Sequence, residues 1–207
     1  MMNVFSSISS REILELLLLA SSLAVHILDA KQKLLSRILW FPHLILNMYL
    51  FSQKKLYGKV FYSVVTLFIN AYAYIQWKDT KKAKPIQVSK TDSSTLFLGI
   101  AASLVLSMPW TIFRIRTTTD ISAIAIYFDA LYAVLGLFEK FLMSKKRLER
   151  WILACLRYIF ATITMIKTHS PILAVQHIIL VIISIYGQCQ WYISYKKHEH
   201  CHTSQAS

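Results

Sequence analysis

The chain has 207 residues, of which 56% are hydrophobic and only 16% charged, with a net charge of +13 and a mean hydropathy of +0.47. A compact soluble enzyme of this size could not bury so much apolar surface, and a disordered chain does not carry it, which excludes both classes. No nucleic-acid-binding motif is present, and in a membrane protein a basic excess lies mainly in loops that face anionic lipid. We therefore expect an all-α integral membrane protein.

Apolar runs bounded by charged residues predict seven transmembrane helices, since one helical span needs roughly 20 apolar residues. The predicted spans are Ile13–Leu28, Leu34–Phe51, Leu56–Trp77, Leu96–Phe113, Ile121–Met143, Trp151–Ile166 and Ile172–Trp191. Pro42 and Pro109 fall inside the second and fourth spans, where we expect them to kink the helices without ending them. The polar stretch Lys78–Ser94 contains five lysines and is predicted to be a solvated loop.

The chain also contains an internal repeat. Residues 70–77, NAYAYIQW, resemble residues 184–191, SIYGQCQW, and residues 31–34, KQKL, match residues 145–148, KKRL, at the same offset. Three spans followed by one linker span return the chain to its starting side, so the two three-helix units run in the same direction. This predicts a 3+1+3 parallel repeat. The expected units are a first bundle (1–77), a basic loop with a linker helix (78–118), a second bundle (119–197) and a tail (198–207).

Lysine and arginine counts predict the orientation. Fourteen of these residues fall on the side where the first, third, fifth and seventh spans end, and seven on the opposite side. The more basic side faces the cytoplasm in most membrane proteins. The prediction is an outside N-terminus and a cytoplasmic C-terminus.

Ionisable residues inside predicted spans are candidates for function, because charge at membrane depth is costly. For Asp129 and Arg157, either a role at a functional site or an ion pair between the fifth and sixth helices is open. For Glu139, Lys140 and Glu15 we expect side chains that reach out to the membrane interface.

Aromatic and amide side chains recur at related positions in the two halves. Gln76-Trp77 and Gln190-Trp191 end the third and seventh spans, which fits either an interfacial belt or a pocket in which an indole stacks on a flat ring and an amide reads its substituents. Trp40 with Asn47, and Trp151 with Tyr158, share helix faces because they are seven residues apart. Ordinary packing and a ligand cage both explain these pairs.

No HExxH, GxSxG or P-loop motif occurs, so no enzymatic activity and no cofactor are expected. The His- and Cys-containing residues 198–202, HEHCH, could bind a metal, although a mobile tail is the preferred interpretation.

The sequence resembles the PnuC family of vitamin transporters over residues 12–197. The similarity is carried by KKLYGKVFYSVVTLFINAYAYIQW at the third span, by DALYAVLGLFEKFLMSKKRLERWIL from the fifth into the sixth span, and by GQCQW at the end of the seventh. The resemblance implies a seven-helix fold related to the SWEET sugar carriers and facilitated uptake of a vitamin or nucleoside-type precursor across the bacterial inner membrane. It also implies a homotrimer and a functional link to a cytoplasmic kinase that traps the solute by phosphorylation.

The chain departs from the nicotinamide riboside members of that family at several positions. Arg37, Ala154, Tyr158 and Lys140 stand where those members carry Trp, Trp, Asn and Gln, which argues against nicotinamide riboside as the solute. Thiamine, riboflavin and deoxynucleosides remain open.

The expected function is alternating-access uptake of such a solute, with lipid as the other partner and no nucleic acid. Two alternatives are a substrate-binding subunit of an energy-coupling vitamin importer and a non-transporting membrane scaffold. The candidate substrate-binding residues are Trp40, Asn47, Asn70, Gln76, Trp77, Asp129, Trp151, Arg157, Tyr158, Gln190 and Trp191.

Overall fold

The computed structural model describes residues 10–78, 87–117 and 121–203, and within them side chains from 12 to 197. These residues form seven helices, as predicted. They are α1 (Ser10–Ala30), α2 (Leu35–Gln53), α3 (Tyr57–Lys78), α4 (Ser93–Thr117), α5 (Ala123–Ser144), α6 (Arg150–Lys167) and α7 (Pro171–Thr203).

Six of the helices close into a ring, and one lies outside it. Each ring helix packs against two neighbours, in the order α1, α2, α3, α5, α6, α7 and back to α1. Helix α4 packs along α5, and Arg114 near its end also reaches Tyr57 of α3 and the Lys55 carbonyl. The ring therefore encloses an interior that is lined by six helices, and α4 serves as a peripheral connection between its two halves.

The tight turns between ring helices share one backbone feature. Among the described residues, four that are not glycine have positive φ: Gln32 (54°) between α1 and α2, Lys55 (55°) between α2 and α3, Lys146 (50°) between α5 and α6, and His169 (50°) between α6 and α7. The left-handed conformation lets the backbone reverse within three to five residues, at a steric cost to any side chain with a Cβ.

Polarity is distributed as a membrane protein requires, with apolar side chains outside and polar ones inside. Phe68 and Phe97 are 73% and 74% exposed, whereas Arg37, Glu139 and Arg150 are fully buried. Three helices, within Glu12–Ala30, Ser93–Thr117 and Pro171–Lys197, are long and apolar enough to span a bilayer. The other ring helices have lower hydropathy because their charged residues face the ring interior.

Hydroxyl groups inside the helices are satisfied locally. Ser63, Ser103, Thr164 and Ser184 each donate to the carbonyl four residues earlier on their own helix. This pattern hides a polar group without a partner helix, which suits an environment that lacks water.

The segment before α4 is attached to the second half of the ring. Ser89 donates its N–H to the Lys146 carbonyl at 3.2 Å and accepts from Leu148 N–H at 3.0 Å. Thr91 N–H donates to the Glu149 carboxylate at 2.8 Å, and Val88 is buried. This end of the predicted loop is therefore held against the α5–α6 turn, while residues 79–86 lie outside the described residues.

Several expectations about the elements can be compared directly with the structure. Pro42 and Pro109 do lie inside α2 and α4. Helix α7 extends to Thr203, so it continues into the predicted tail. The side chains of its HEHCH segment and residues 204–207 lie outside the described residues.

The orientation count needs a correction. Arg37, Arg150 and Lys59 were counted as loop charges, but all three are buried in the bundle. Without them, twelve lysine and arginine residues lie on the side where the first, third, fifth and seventh spans end, and six on the opposite side. The bias keeps the same direction. Lys81, Lys82 and Lys84, which carry part of it, lie outside the described residues.

The left-handed turn at His169 allows a test in which two substitutions change the stability in opposite directions. His169 is exposed and has positive φ, so His169→Gly should raise stability by about 1 kcal/mol and His169→Val should lower it. Thermal unfolding of the detergent-purified protein measures both. At the nearby helical residue Lys167, glycine should give no gain, because a helical position does not favour it. Equal effects of glycine at both sites would contradict the assignment of the turn.

Candidate functional site

A closed polar cavity lies in the middle of the ring. Its volume is about 20 Å³, which is room for a single water molecule, whereas sites for small organic ligands have several hundred cubic ångströms. Every ring helix contributes to its wall. The lining residues are Ser22 and His26 of α1, Trp40, His43 and Asn47 of α2, Tyr62 of α3, Tyr132 of α5, Arg157 and Tyr158 of α6, and Gln176, His177 and Leu180 of α7.

A chain of hydrogen bonds with a defined direction crosses the cavity from α6 to α1. His26 Nδ1 lies 2.7 Å from the Ser22 carbonyl oxygen, which can only accept, so Nδ1 carries a proton. In the neutral ring Nε2 then accepts from the Tyr158 hydroxyl. The same hydroxyl oxygen accepts from Arg157 Nη2 at 2.9 Å. Tyr158 thus joins the guanidinium of one half to the imidazole of the other.

The second histidine of the cavity orients Asn47. The Ser21 hydroxyl donates to the Leu18 carbonyl, so His43 Nδ1 donates to Ser21 Oγ at 3.0 Å. His43 Nε2 then accepts from Asn47 Nδ2 at 2.7 Å. Asn47 therefore has its donor side engaged, which leaves its carbonyl oxygen as the group with which it can bind a solute.

Aromatic rings form the remaining walls. Trp40 meets His26 and His43 edge-on, each with a centroid distance of 5.1 Å. The Arg157 guanidinium carbon lies 4.7–4.8 Å from the ring centroids of Tyr62, Tyr132 and Tyr158. Such contacts orient the guanidinium group and partly offset its loss of hydration. Among the described side chains, no group of three or more His, Cys, Asp or Glu could hold a metal.

Below the cavity, toward the α1–α2 and α5–α6 turns, lies a cluster of buried ions around Asp29. Its carboxylate pairs with the Arg37 guanidinium, accepts from Trp40 Nε1 at 3.2 Å and lies 3.5 Å from Arg150 Nη1. Its backbone carbonyl accepts from Trp191 Nε1 at 3.2 Å. One residue of α1 is therefore bonded to α2, α6 and α7, across both halves of the ring.

The expectation that Glu139 and Lys140 reach the membrane interface is wrong. Both are buried, at 0% and 1% exposure. The Glu139 carboxylate lies 3.2 Å from Arg157, 3.5 Å from Arg150 and 3.8 Å from Lys140. Three cations around one carboxylate make burial of that charge tolerable, and this holds the face of α5 inward. Glu15 is also buried and pairs with Lys54 at 2.9 Å.

An ion pair between Asp129 and Arg157 is also not formed, because the two residues lie at different levels of the ring. Asp129 Oδ2 accepts from the Gly58 N–H at 2.8 Å, at the start of α3. A Cβ at Gly58 would lie 2.5 Å from that oxygen, so glycine is needed for the contact. Arg157 pairs with Glu139 instead, and Asp129 does not line the cavity.

Three predicted site residues form a tryptophan cluster at the turn end of the ring. The Trp191 ring lies 5.7 Å from that of Trp151 and 6.4 Å from that of Trp77. Arg150 lies 3.7 Å above the Trp151 ring. The space for Trp151 depends on Gly187, since a Cβ there would lie 2.5 Å from the indole.

Two further residues near this cluster are Asn70 of α3 and Lys146 of the α5–α6 turn. Asn70 Nδ2 donates to the Arg37 carbonyl at 2.7 Å, and Asn70 Oδ1 accepts from Arg37 Nη1 at 3.3 Å. Lys146 Nζ lies 4.8 Å from the Trp77 ring. Burial and the nearby Arg37 charge lower the pKa of Lys146 below its ordinary value. Gln76 and Gln190 are half-buried and do not line the cavity.

The predicted residues therefore separate into two sets. Trp40, Asn47, Arg157 and Tyr158 converge on the cavity, whereas Asn70 and the three tryptophans lie in the neighbouring layer. Sequence reasoning missed the cavity residues His26, His43, Tyr62, Gln176 and His177. Histidines and glutamine within apolar spans are a usable signal, since polar side chains at membrane depth usually face the interior.

Comparisons with known proteins agree on one family. The sequence profile described as nicotinamide mononucleotide transporter matches residues 12–193. A solved structure described as the crystal structure of the vitamin B3 transporter PnuC superimposes with a TM-score of 0.73 at 16% identity, covering 90% of this chain and 83% of that one. No curated protein gives a match.

Removal of the Asp29 charge should be among the most destabilising single changes. Asp29→Asn leaves two buried guanidinium groups without their shared carboxylate, and we expect a loss of about 3 kcal/mol in the free energy of unfolding. Thermal unfolding in detergent measures it. Asp92→Asn, at an exposed carboxylate, is the matched control and should have little effect.

Adding Arg37→Gln to Asp29→Asn should recover part of that loss, because the two changes remove one charge of each sign. Additive effects in the double variant would show that the two side chains do not depend on each other.

Proposed function

This chain belongs to the nicotinamide mononucleotide transporter (PnuC) family, and on that premise we propose that it carries a vitamin precursor or nucleoside-like solute across the inner membrane by alternating access. The observation that carries the proposal is the polar cavity to which all six ring helices contribute. Its volume of about 20 Å³ corresponds to a closed state. A solute that contains a cyclic group enters only when the two halves of the helix ring move apart on one side.

The proposed halves are α1–α3 and α5–α7, related as a 3+1+3 parallel repeat of the SWEET type. All four left-handed turn residues support this relation, because Gln32 and Lys146, and Lys55 and His169, are each 114 residues apart. The packing order supports it too. Exchanging α1, α2 and α3 with α5, α6 and α7 turns every contact in the ring into another contact of the ring.

Contacts between equivalent residues of the two halves indicate where the halves would separate. Lys146 Nζ and Gln32 Oε1, which occupy equivalent turn positions, lie 3.5 Å apart. Trp77 and Trp191, also equivalent, have ring centroids 6.4 Å apart. These contacts join the halves at the end that we assign to the cytoplasm, so opening toward that side has to break them.

Binding roles follow from the cavity. Trp40 provides an aromatic face for a ring, Asn47 an amide acceptor, and Tyr158 with Arg157 a polar end. Asn70, Trp77, Trp151 and Trp191 form the cytoplasmic gate beneath it. Asp129 supports the opposite end of the cavity through Gly58, and Gln76 and Gln190 support the gate from the ends of α3 and α7.

The family premise extends the proposal to the cell. We place the N-terminus outside and the C-terminus in the cytoplasm, with a homotrimeric assembly in the lipid bilayer and a cytoplasmic kinase that traps the solute by phosphorylation.

Solute binding should depend on the Tyr158 hydroxyl. Tyr158→Phe keeps the ring but breaks the Arg157–Tyr158–His26 chain, and loss of a hydrogen bond to a charged group should raise Kd about tenfold. Tryptophan-fluorescence quenching by nicotinamide riboside, thiamine, riboflavin, deoxyribonucleosides and a hexose identifies the solute and measures Kd. Tyr186→Phe, at an outward-facing tyrosine, should leave it unchanged.

Uptake of that solute by the purified chain in liposomes separates the transporter from the energy-coupling subunit, which needs partner proteins to transport. Binding without uptake would favour the subunit, and the absence of both from a folded protein would favour a scaffold.

Restraining the two equivalent turns should stop transport without unfolding the protein. In a background with the three native cysteines replaced by serine, Gln32→Cys with Lys146→Cys can be joined by a cleavable bismaleimide linker. Uptake should fall at least tenfold on linking and return on cleavage. Each single cysteine variant treated with the linker is the control. Unimpaired uptake by the linked protein would contradict separation of the halves at this end.

A further inference from the structure

The ring interior contains more positive than negative side chains. Among the side chains that the structure describes there, five cations are exposed by 1% or less and three carboxylates by 4% or less. The cations are Arg37, Lys59, Lys140, Arg150 and Arg157, and the carboxylates are Asp29, Asp129 and Glu139. Glu15 is balanced separately by Lys54. The formal charge of the interior is therefore +2.

The surplus of positive charge is concentrated around Glu139. Asp29 is engaged by Arg37 and by one edge of Arg150, and Asp129 lies near Lys59 at the other end of the ring. Glu139 alone faces Arg157, Lys140 and the second edge of Arg150. One carboxylate cannot balance three cations, and an unbalanced buried charge is unfavourable in a membrane protein.

Hydrogen-bond donors are in surplus at the same place. Arg157 Nε and Nη1, Lys140 Nζ and Arg150 Nη2 are buried and have no hydrogen-bond acceptor. The native state usually provides acceptors for buried donors, above all for charged ones. Both oxygens of Glu139 are also without a hydrogen bond, so this carboxylate can accept some of these donors, and the donors that remain need a further acceptor.

The unpaired donors are next to the cavity. Arg157 lines it, and Lys140 Nζ lies 3.7 Å from the ring of Trp40, which also lines it. Of the other acceptors that line the cavity, Gln176 Oε1 and the Tyr62 hydroxyl are buried without a partner, but a neutral acceptor would leave the surplus of positive charge unchanged. The Tyr158 oxygen already accepts from Arg157 Nη2 and its proton is donated to His26, while His43 Nε2 is occupied by Asn47.

We propose that the transported solute carries an anionic group, a carboxylate or a phosphate, which binds to Arg157 and Lys140 while its ring lies against Trp40. This inference rests on the proposed transport function and specifies the charge of its solute. A guanidinium group presents its donors in a plane that matches either anion. An anion lowers the interior surplus of positive charge, a neutral solute leaves it unchanged, and a cation adds to it.

Two matched pairs of probes test the charge. Nicotinate and nicotinamide share a ring and differ in carboxylate against amide, and nicotinamide mononucleotide and nicotinamide riboside differ in phosphate against hydroxyl. Titration of the detergent-purified full chain should give at least one anionic member a Kd about tenfold below that of its partner without the anionic group. Nicotinamide riboside is a pyridinium cation, and the phosphate of the mononucleotide outweighs that charge. The pair that shows the preference identifies which anion is bound.

Variants locate the binding group. Arg157→Gln should reduce the preference for the anionic probe, measured as the ratio of the two Kd values, to less than about twofold. Arg157→Lys should give an intermediate ratio, since an ammonium keeps the charge but not the planar donors. Glu139→Gln increases the positive surplus and should enlarge the preference. Arg116→Gln, at an exposed arginine of α4, is the matched control and should leave it unchanged.

A measurement on the unmodified protein covers the case in which these variants do not fold. Uptake of the anionic probe into liposomes should accelerate when the inside of the liposome is made electrically positive. The reason is that transport of the anion carries net negative charge across the membrane. Equal or tighter binding of the two members that lack the anionic group overturns the anion assignment and leaves the transport function intact. Failure of every probe and every vitamin to bind overturns both.

Discussion

Buried charge inside a membrane bundle needs partners of opposite sign, and in this chain Asp29 and Glu139 are the partners of four of the five buried cations of the ring interior. Asp29 contacts Arg37, Trp40 and Arg150, and its carbonyl accepts from Trp191. Glu139 faces Lys140 and Arg157 and shares Arg150 with Asp29. Because bilayer lipid supplies no competing water, these contacts determine which faces of the ring helices point inward.

The same ions connect the two halves that move in the proposed transport cycle. Asp29 and Arg37 lie in the first half of the ring, whereas Glu139, Arg150 and Arg157 lie in the second. The pair Asp29–Arg150 and the hydrogen bond from Tyr158 to His26 join the halves through polar contacts. Polar contacts that a charged solute or water can replace are suited to repeated breaking and re-formation, unlike an interlocked apolar core.

Errors in the sequence interpretation share one physical cause. Glu139 and Lys140 are adjacent near the end of a span, where charged side chains commonly reach the interface, so their burial at 0% and 1% was not expected. Arg37 and Arg150 follow lysine-rich turns and were counted with the loop charges. A linear pattern records how far a residue is from a span end but not whether a carboxylate from another helix lies nearby to balance it.

The sequence by itself determined the seven helices and the family, because apolar run length and a spaced motif are local properties of the chain, and it suggested the offset of the proposed repeat. It also placed Trp40, Asn47, Arg157 and Tyr158 among the site residues. Only the tertiary structure separated these from the tryptophan layer and added His26, His43, Tyr62 and His177 to the cavity. The reason is geometric: a cavity between six helices is defined by their relative rotation and depth, which depend on charge pairs between residues far apart in the chain.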